Sequence, residues 1–224
     1  MISSARSRDV ARGGALFPLV GAGIGAVAGG LADALASSLG ATLAAVLGVA
    51  AATALTGVLH LDGLADTADA LGGTTRERAL EIMRDHAVGA YGTTALVLGL
   101  AAKIAALATL ADRGNALRYA VCAAAVGRAV PVVLAAALPY ARPGVGTGQA
   151  LGGVGWGRPL FAVALAAGFC VWLHAWPLLA VGAIVAGVAG VAAHRWLGGI
   201  TGDILGASAE LTEIAALVTA VALT

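Results

Sequence analysis

Apolar residues run almost unbroken through seven stretches of the chain, near 13–31, 40–59, 87–111, 116–138, 159–175, 177–193 and 204–224, and short polar segments between them hold most of the charge. About 20 mostly apolar residues cross the hydrocarbon of a bilayer as a helix. The pattern therefore predicts an all-α, polytopic transmembrane bundle, with residues 1–224 forming one integral membrane domain. The fifth and sixth stretches are short and the last carries Glu210 and Glu213. Six spans with a re-entrant or interfacial segment is therefore the alternative to seven. Gly21, Gly25 and Gly29 recur every four residues in the first stretch. Small residues at that interval let helices approach closely, in a compact bundle or in a homo-oligomer.

Composition agrees with a membrane setting. Of the 224 residues, 60% are hydrophobic and 11% charged, against roughly 25% charged in soluble domains, and the mean hydropathy is +0.93. A net charge of +1 with scattered arginines argues against nucleic acid as a partner. Cys122 and Cys170 both lie in apolar runs and read as small core residues.

Lysine and arginine near span ends are retained on the cytoplasmic side. With a cytoplasmic N-terminus, that side receives Arg6, Arg8, Arg12, Arg76, Arg78, Arg84, Arg142, Arg158 and Arg195, against Arg113 and Arg118 outside. Lys103 and Arg128 fall within spans. The first apolar run is read as an uncleaved span, since no small-residue cleavage site ends a short signal core. Trp156, Trp172, Trp176 and Trp196 sit at predicted span ends, where an amphipathic ring prefers the headgroup level.

The carboxylates have a side too. Ten of twelve fall in or beside the segments placed in the cytoplasm, Asp33 and Asp112 being the exceptions. The densest patch is "HLDGLADTADALGG" at 60–73. Asp62, Asp66 and Asp69, spaced i, i+4, i+7, share a helix face within about 60°. No Lys or Arg lies between them to offset their repulsion, whereas a divalent cation would. Mg²⁺ suits hard oxygen ligands and usually keeps waters and substrate phosphates in its shell. The bland reading is a solvated helix face. His60 is either a polar neighbour of this site or a general base.

In the next segment, Thr74 or Thr75 reads as a helix N-cap with Glu77 in the first turn. Glu77, Glu81 and Asp85 again repeat every four residues, and Arg76, Arg78 and Arg84 can pair with them along an amphipathic surface helix. Asp85 sits where the chain re-enters the membrane. In the last segment Asp203, Glu210 and Glu213 lie within about 80° of one another. They are either functional or paired with Arg128 or Lys103. The Gly- and Pro-rich loop 138–159 is a phosphate-contacting loop or an ordinary connector. No P-loop, dinucleotide fingerprint or nucleophilic Ser or Cys motif is present, so the acids point to metal-assisted phosphoryl transfer.

At these residues the chain resembles the cobalamin synthases, or adenosylcobinamide-GDP ribazoletransferases. The matching elements are "HLDGLADTADALGG" at 60–73, "RERALEIMRDHAVGAYG" at 76–92, "PYARPGVG" at 139–146 and "LGGITGDILGASAELTEIAAL" at 197–217. His86 departs from the small residue expected after the "RD" pair. The resemblance implies a Mg²⁺-dependent enzyme in the bacterial inner membrane with its active site facing the cytoplasm. It would join adenosylcobinamide-GDP to α-ribazole or α-ribazole 5′-phosphate, releasing GMP and giving adenosylcobalamin or its 5′-phosphate. It further implies Asp62, Asp66 and Asp69 on Mg²⁺, and His60, Arg84 and Asp85 as catalytic groups. Arg128, Arg142, Asp203 and Glu210 would hold substrate. A CDP-alcohol phosphotransferase is the nearest competing enzyme, but Asp66-x-x-Asp69 is followed by Ala70, not Gly. A small ion-coupled transporter is the reading from another class.

Overall fold

A computed structural model of the chain describes residues 13–85, 87–142 and 155–224. After a 3₁₀ turn at Gly14–Leu16 come the helices α1 (Phe17–Leu39), α2 (Ala41–Thr56), α3 (Leu59–Asp69), α4 (Arg76–Ile82), α5 (Ala90–Asp112), α6 (Ala116–Ala137), α7 (Gly157–Trp172), α8 (Leu178–Leu197) and α9 (Gly202–Leu223). No strand occurs among the described residues. One backbone bridge joins Tyr140 to Ile200.

The chain is a multi-pass helical membrane protein, with fewer clear crossings than the seven expected. Five helices are long and apolar enough to span: Gly14–Leu39, α5, α6, α8 and α9. The second apolar run stops at Thr56, and Leu59–Gly72 turns away from it by 89°. Counting that broken pair as one span gives six, and α7 is a shorter apolar helix. The first run continues to Leu39 rather than ending near 31, because Asp33 is not left bare in it. Its carboxylate accepts from the Ala116 and Leu117 amides at 3.1 and 2.8 Å, satisfying donors at the start of α6 that would otherwise have no partner.

The break after α2 is built into the backbone. Gly57 and Val58 both take left-handed conformations, with φ of 59° and 66°. That conformation is free to glycine but costs a β-branched residue about 1–3 kcal/mol. It re-aims the chain so that α3, with its three aspartates, leaves the line of α2.

Helix α6 is the axis of the bundle, with 83% of its apolar window buried, whereas α8 is peripheral at 17%. The glycine stripe of α1 packs on α6, within the chain. A Cβ added at Gly21, Gly25 or Gly29 would stand 2.4, 2.2 or 2.4 Å from the carbonyl oxygen of Ala124, Ala120 or Ala116. Gly25→Leu should therefore destabilise the protein by about 3 kcal/mol, the upper end for overpacking. Gly23→Leu, at a position with nothing within 4 Å of an added Cβ, should change little. Thermal unfolding in detergent compares the two. Cys122 and Cys170 are buried and free, as their setting predicted. Trp156 and Trp172 lie at the two ends of α7, and Trp172 and Trp176 are strongly exposed.

The two ends of the bundle differ. At one, Arg113 donates to the Val221 carbonyl and Thr224 Oγ1, and Arg118 to the His174 carbonyl. The other end gathers α3, α4, the Tyr140 strand-like segment and the start of α9. Arg76 ties it together, donating from Nε to the Leu197 carbonyl at 2.8 Å and from Nη2 to the Ala141 carbonyl at 2.9 Å.

Candidate active site at the acidic end of the bundle

Three close approaches assemble this end. Gly63 of α3 lies against α9, where an added Cβ would meet the Asp203 carbonyl oxygen at 2.7 Å and Gly206 Cα at 3.1 Å. This crossing sets the Asp62–Asp66 stretch beside Asp203, about 140 residues away in sequence. Gly199 lies under Pro139, whose oxygen would be 2.2 Å from an added Cβ. The pairing Ala141 N–H to Ile200 O and Ile200 N–H to Pro139 O, at 2.8 and 2.9 Å, fixes the two segments in register. Arg142 consequently reaches α9 and binds Asp203, Nη2 to Oδ2, at 2.7 Å. Asp203 itself is in the first turn of α9, whose N-cap is Thr201, accepting from Ile204 N–H.

The aspartates of α3 share a helix as expected but not one role. Asp62 is exposed and Asp66 half-buried. Asp66 feels Asp62 and Asp203 as like charges, Asp69 more weakly, and Arg142 as the opposing one. Asp69 turns to the start of α5. Its Oδ2 accepts from Gly89 N–H at 2.7 Å and its Oδ1 from Gly92 N–H at 2.8 Å. Both partners must be glycine, since an added Cβ would fall 2.6 and 2.3 Å from those carboxylate oxygens. Asp69 thus caps α5, which leaves Asp62 and Asp66 as the acids of this segment facing the site.

The other expected residues divide between the surface and the bundle interior. Arg84 and Asp85 are exposed in the turn between α4 and α5, and Asp85 Oδ1 accepts from Ala87 N–H at 3.1 Å. Thr75 is the N-cap of α4, accepting from Arg78 N–H, and Arg78 pairs with Glu81 at 3.1 Å on the surface. Arg76 lies 3.8 Å from Glu77, a pairing of the kind expected, and in addition makes the tie to the Leu197 and Ala141 carbonyls. His86, residues 1–12 and the loop 143–154 lie outside the described residues.

Glu210 and Arg128, expected to meet substrate, are instead in a buried charge network. Lys103 Nζ stands 2.8 Å from both Glu210 Oε1 and Glu213 Oε1. Glu213 Oε2 accepts from Arg128 Nη1. All four residues are at most 7% exposed. The two acids and two bases sum to zero charge, the arrangement in which ionised groups survive in a bundle interior. His60 belongs to this network and not to the aspartates, with Nδ1 3.5 Å from Arg128 Nη2. It anchors the first turn of α3 to α6.

Among the described residues, no three His, Cys, Asp or Glu side chains stand close enough to hold a metal ion together. A closed protein cage is therefore not what this end offers. Mg²⁺ needs less, since one or two carboxylates suffice when waters and substrate phosphates complete the shell. Asp62 and Asp66, repelling each other and Asp203, are hard oxygen donors of that kind.

Fold and site define a class: a polytopic helical membrane protein that presents carboxylates and an arginine at one end of its bundle. The family model described as Cobalamin-5-phosphate synthase matches residues 2–221, and the chain belongs to that family. Among curated relatives, the adenosylcobinamide-GDP ribazoletransferase of Leptothrix cholodnii is 40% identical over 218 residues, covering 89% of this chain and 81% of its own. That of Chlorobaculum tepidum is 41% identical over 207 residues, with the same coverage. That of Bradyrhizobium diazoefficiens is 45% identical over 184 residues, covering 78% and 68%. No solved structure matches the chain.

Proposed function

We propose that the chain catalyses the adenosylcobinamide-GDP ribazoletransferase reaction. It joins adenosylcobinamide-GDP to α-ribazole or α-ribazole 5′-phosphate, with release of GMP and formation of adenosylcobalamin or its 5′-phosphate. The observation that carries this reading within the structure is the convergence of Asp62, Asp66, Arg142 and Asp203 at one end of the bundle. The similarity to the named relatives over most of the chain supports it and removes the reasons for the CDP-alcohol and transporter readings.

In this reaction the ribose 3′-hydroxyl attacks the cobinamide-side phosphorus. A P–O bond forms to the ribose, and the bridging P–O bond to GMP breaks. Arg142 is the residue we assign to the phosphate oxygens, its fork suiting two of them at once. Asp203 holds Arg142 in position through the 2.7 Å contact. Arg84, exposed in the turn between α4 and α5, is the residue we assign as the second cation for the diphosphate. Asp85, steadied by the Ala87 amide, is the base we assign to the hydroxyl proton. Asp62 and Asp66 would hold Mg²⁺, which supplies charge neutralisation of the diphosphate and of the leaving GMP.

We place the acidic end on the cytoplasmic face of the bacterial inner membrane. Arg76, Arg78, Arg84 and Arg142 lie at that end, against Arg113 and Arg118 at the other. The test is chromatographic detection of GMP from purified protein. GMP should appear when adenosylcobinamide-GDP and α-ribazole are both supplied, matched mole for mole by the corrinoid product. Release that is indifferent to ribazole would mean a hydrolase, and no release at all would refute the assignment.

A further inference from the structure

Arg142 follows the short segment 139–141 and stands on no helix, so its aim at the site depends on how that segment is held. Ile200 holds one side of it. Ala141 N–H donates to the Ile200 carbonyl at 2.8 Å, and Ile200 N–H donates to the Pro139 carbonyl at 2.9 Å. The Ala141 carbonyl has a different partner, accepting from Arg76 Nη2 at 2.9 Å. A peptide unit is planar, so whatever fixes the Ala141 oxygen also fixes the plane that carries the nitrogen and Cα of Arg142. The same guanidinium donates from Nε to the carbonyl of Leu197, the last residue of α8, at 2.8 Å. Its third nitrogen, Nη1, lies 3.8 Å from Glu77. Arg76 opens α4, whose Ala79 packs in one apolar cluster with Ala141, Leu197 and Ile200. One planar fork therefore sets the end of α8 against the peptide just before Arg142. From that peptide the Arg142 side chain reaches Asp203 at 2.7 Å. Asp203 holds the tip of Arg142, and Arg76 holds its root.

We propose that Arg76 is a positioning residue for the diphosphate substrate: through the Ala141 peptide it holds Arg142 where that guanidinium meets the phosphate oxygens. The role rests on the assignment of Arg142 made above. Arg76 acts through the chain and not as a phosphate ligand, because two of its nitrogens are committed to main-chain carbonyls and the third faces a carboxylate. Nor is it a prop of the fold. Its side chain is 46% exposed, so water can take over both carbonyls when the guanidinium is removed, and a hydrogen bond exchanged for one to water costs little stability. Water cannot reproduce the rigid spacing of the fork. A lysine at this position keeps the charge but offers a single nitrogen on a flexible stem. Charge and geometry can therefore be separated by one substitution.

The test compares Arg76→Lys, Arg142→Gln and the double variant in detergent-purified full-length protein. Arg76→Lys should melt close to wild type. It should raise the KM for adenosylcobinamide-GDP by about tenfold, the scale of one hydrogen bond to a charged group, and leave the KM for α-ribazole within about twofold. In the Arg142→Gln background the same lysine should add less than about twofold, because no guanidinium is left to aim. Hydrogen exchange at the Ala141 and Ile200 amides should quicken by about tenfold in Arg76→Lys, with the amides of α6 unchanged. An unaltered KM for adenosylcobinamide-GDP in Arg76→Lys would overturn the proposal. An equal rise with and without Arg142, or a raised KM with unchanged exchange at Ala141 and Ile200, would make Arg76 an independent contact and overturn it too. Unfolding of Arg76→Lys would make the fork a structural tie and would likewise refute a positioning role. If Arg142→Gln itself leaves the KM unaltered, the assignment of Arg142 fails and the role of Arg76 with it. Absence of GMP release from wild type would instead overturn the reaction on which both depend.

Discussion

Glu213→Leu is expected to unfold the centre of the bundle. Glu213 is the shared acid of the buried network, contacting Lys103 Nζ at 2.8 Å with one oxygen and Arg128 with the other. Its removal leaves Glu210 to pair Lys103 and strips Arg128 of its carboxylate, in a place where water cannot replace it. Arg128 Nε already lacks a partner. Removing one partner of a buried pair costs about 3–5 kcal/mol, a large part of the stability of a domain this size. The variant should show a sharply lowered melting temperature in detergent, or no folded fraction. Exchanging the whole network for apolar residues of similar volume should be far better tolerated for folding. It would also detach His60, and with it the first turn of α3, from α6.

The second large effect is on chemistry with the fold intact. Asp62 is exposed and Asp66 half-buried, so neither supports the core. Asp62→Asn and Asp66→Asn should insert and melt like wild type. Their GMP release should nonetheless fall by at least about 100-fold, the scale seen when one preorganised electrostatic group is taken from an active site. Near-normal release from either correctly folded variant would remove that aspartate from the site.

Several of these assignments follow from patterns visible in the chain before any fold is known. Hydropathy marks the crossing helices to within a few residues in α5, α6 and α9, because a continuous apolar run of about 20 residues satisfies its backbone within a bilayer only as a helix. The i, i+4, i+7 spacing of Asp62, Asp66 and Asp69 marks α3 as a helix with an acid face. The pairing of Glu210 and Glu213 with Lys103 and Arg128 is one of two readings that follow from burying acids in an apolar segment.

What stays hidden depends on partners distant in sequence. Asp69 belongs by spacing to its neighbours, yet its carboxylate is taken by amides 20 and 23 residues further on. The signal for that was Gly89 and Gly92, two glycines three residues apart at the start of a helix, where close approach is the physical reason for having no side chain. Asp33 looks misplaced in an apolar run until its role as a cap for another helix is seen. The 89° turn after Thr56 is marked by Gly57, but Val58 in the left-handed region follows no local residue preference; its amide closes the end of α2 on the Thr53 carbonyl at 3.1 Å. Arg76 resembles its neighbours Arg78 and Arg84 in every local respect, and only the fold distinguishes its tie to Leu197 and Ala141 from their surface positions.

We propose that Asp62 and Asp66 of α3 hold a divalent ion that acts on a diphosphate together with Arg142, which Asp203 of α9 positions. The most direct measurement is GMP formation from adenosylcobinamide-GDP and α-ribazole by the purified wild-type protein as Mg²⁺ is titrated in after exhaustive chelation. A rate that starts near zero, rises to saturation with Mg²⁺, and needs markedly more of the ion in Asp66→Asn is the expected result. An undiminished rate in the presence of chelator, or the same Mg²⁺ dependence with and without the Asp66 carboxylate, would contradict it.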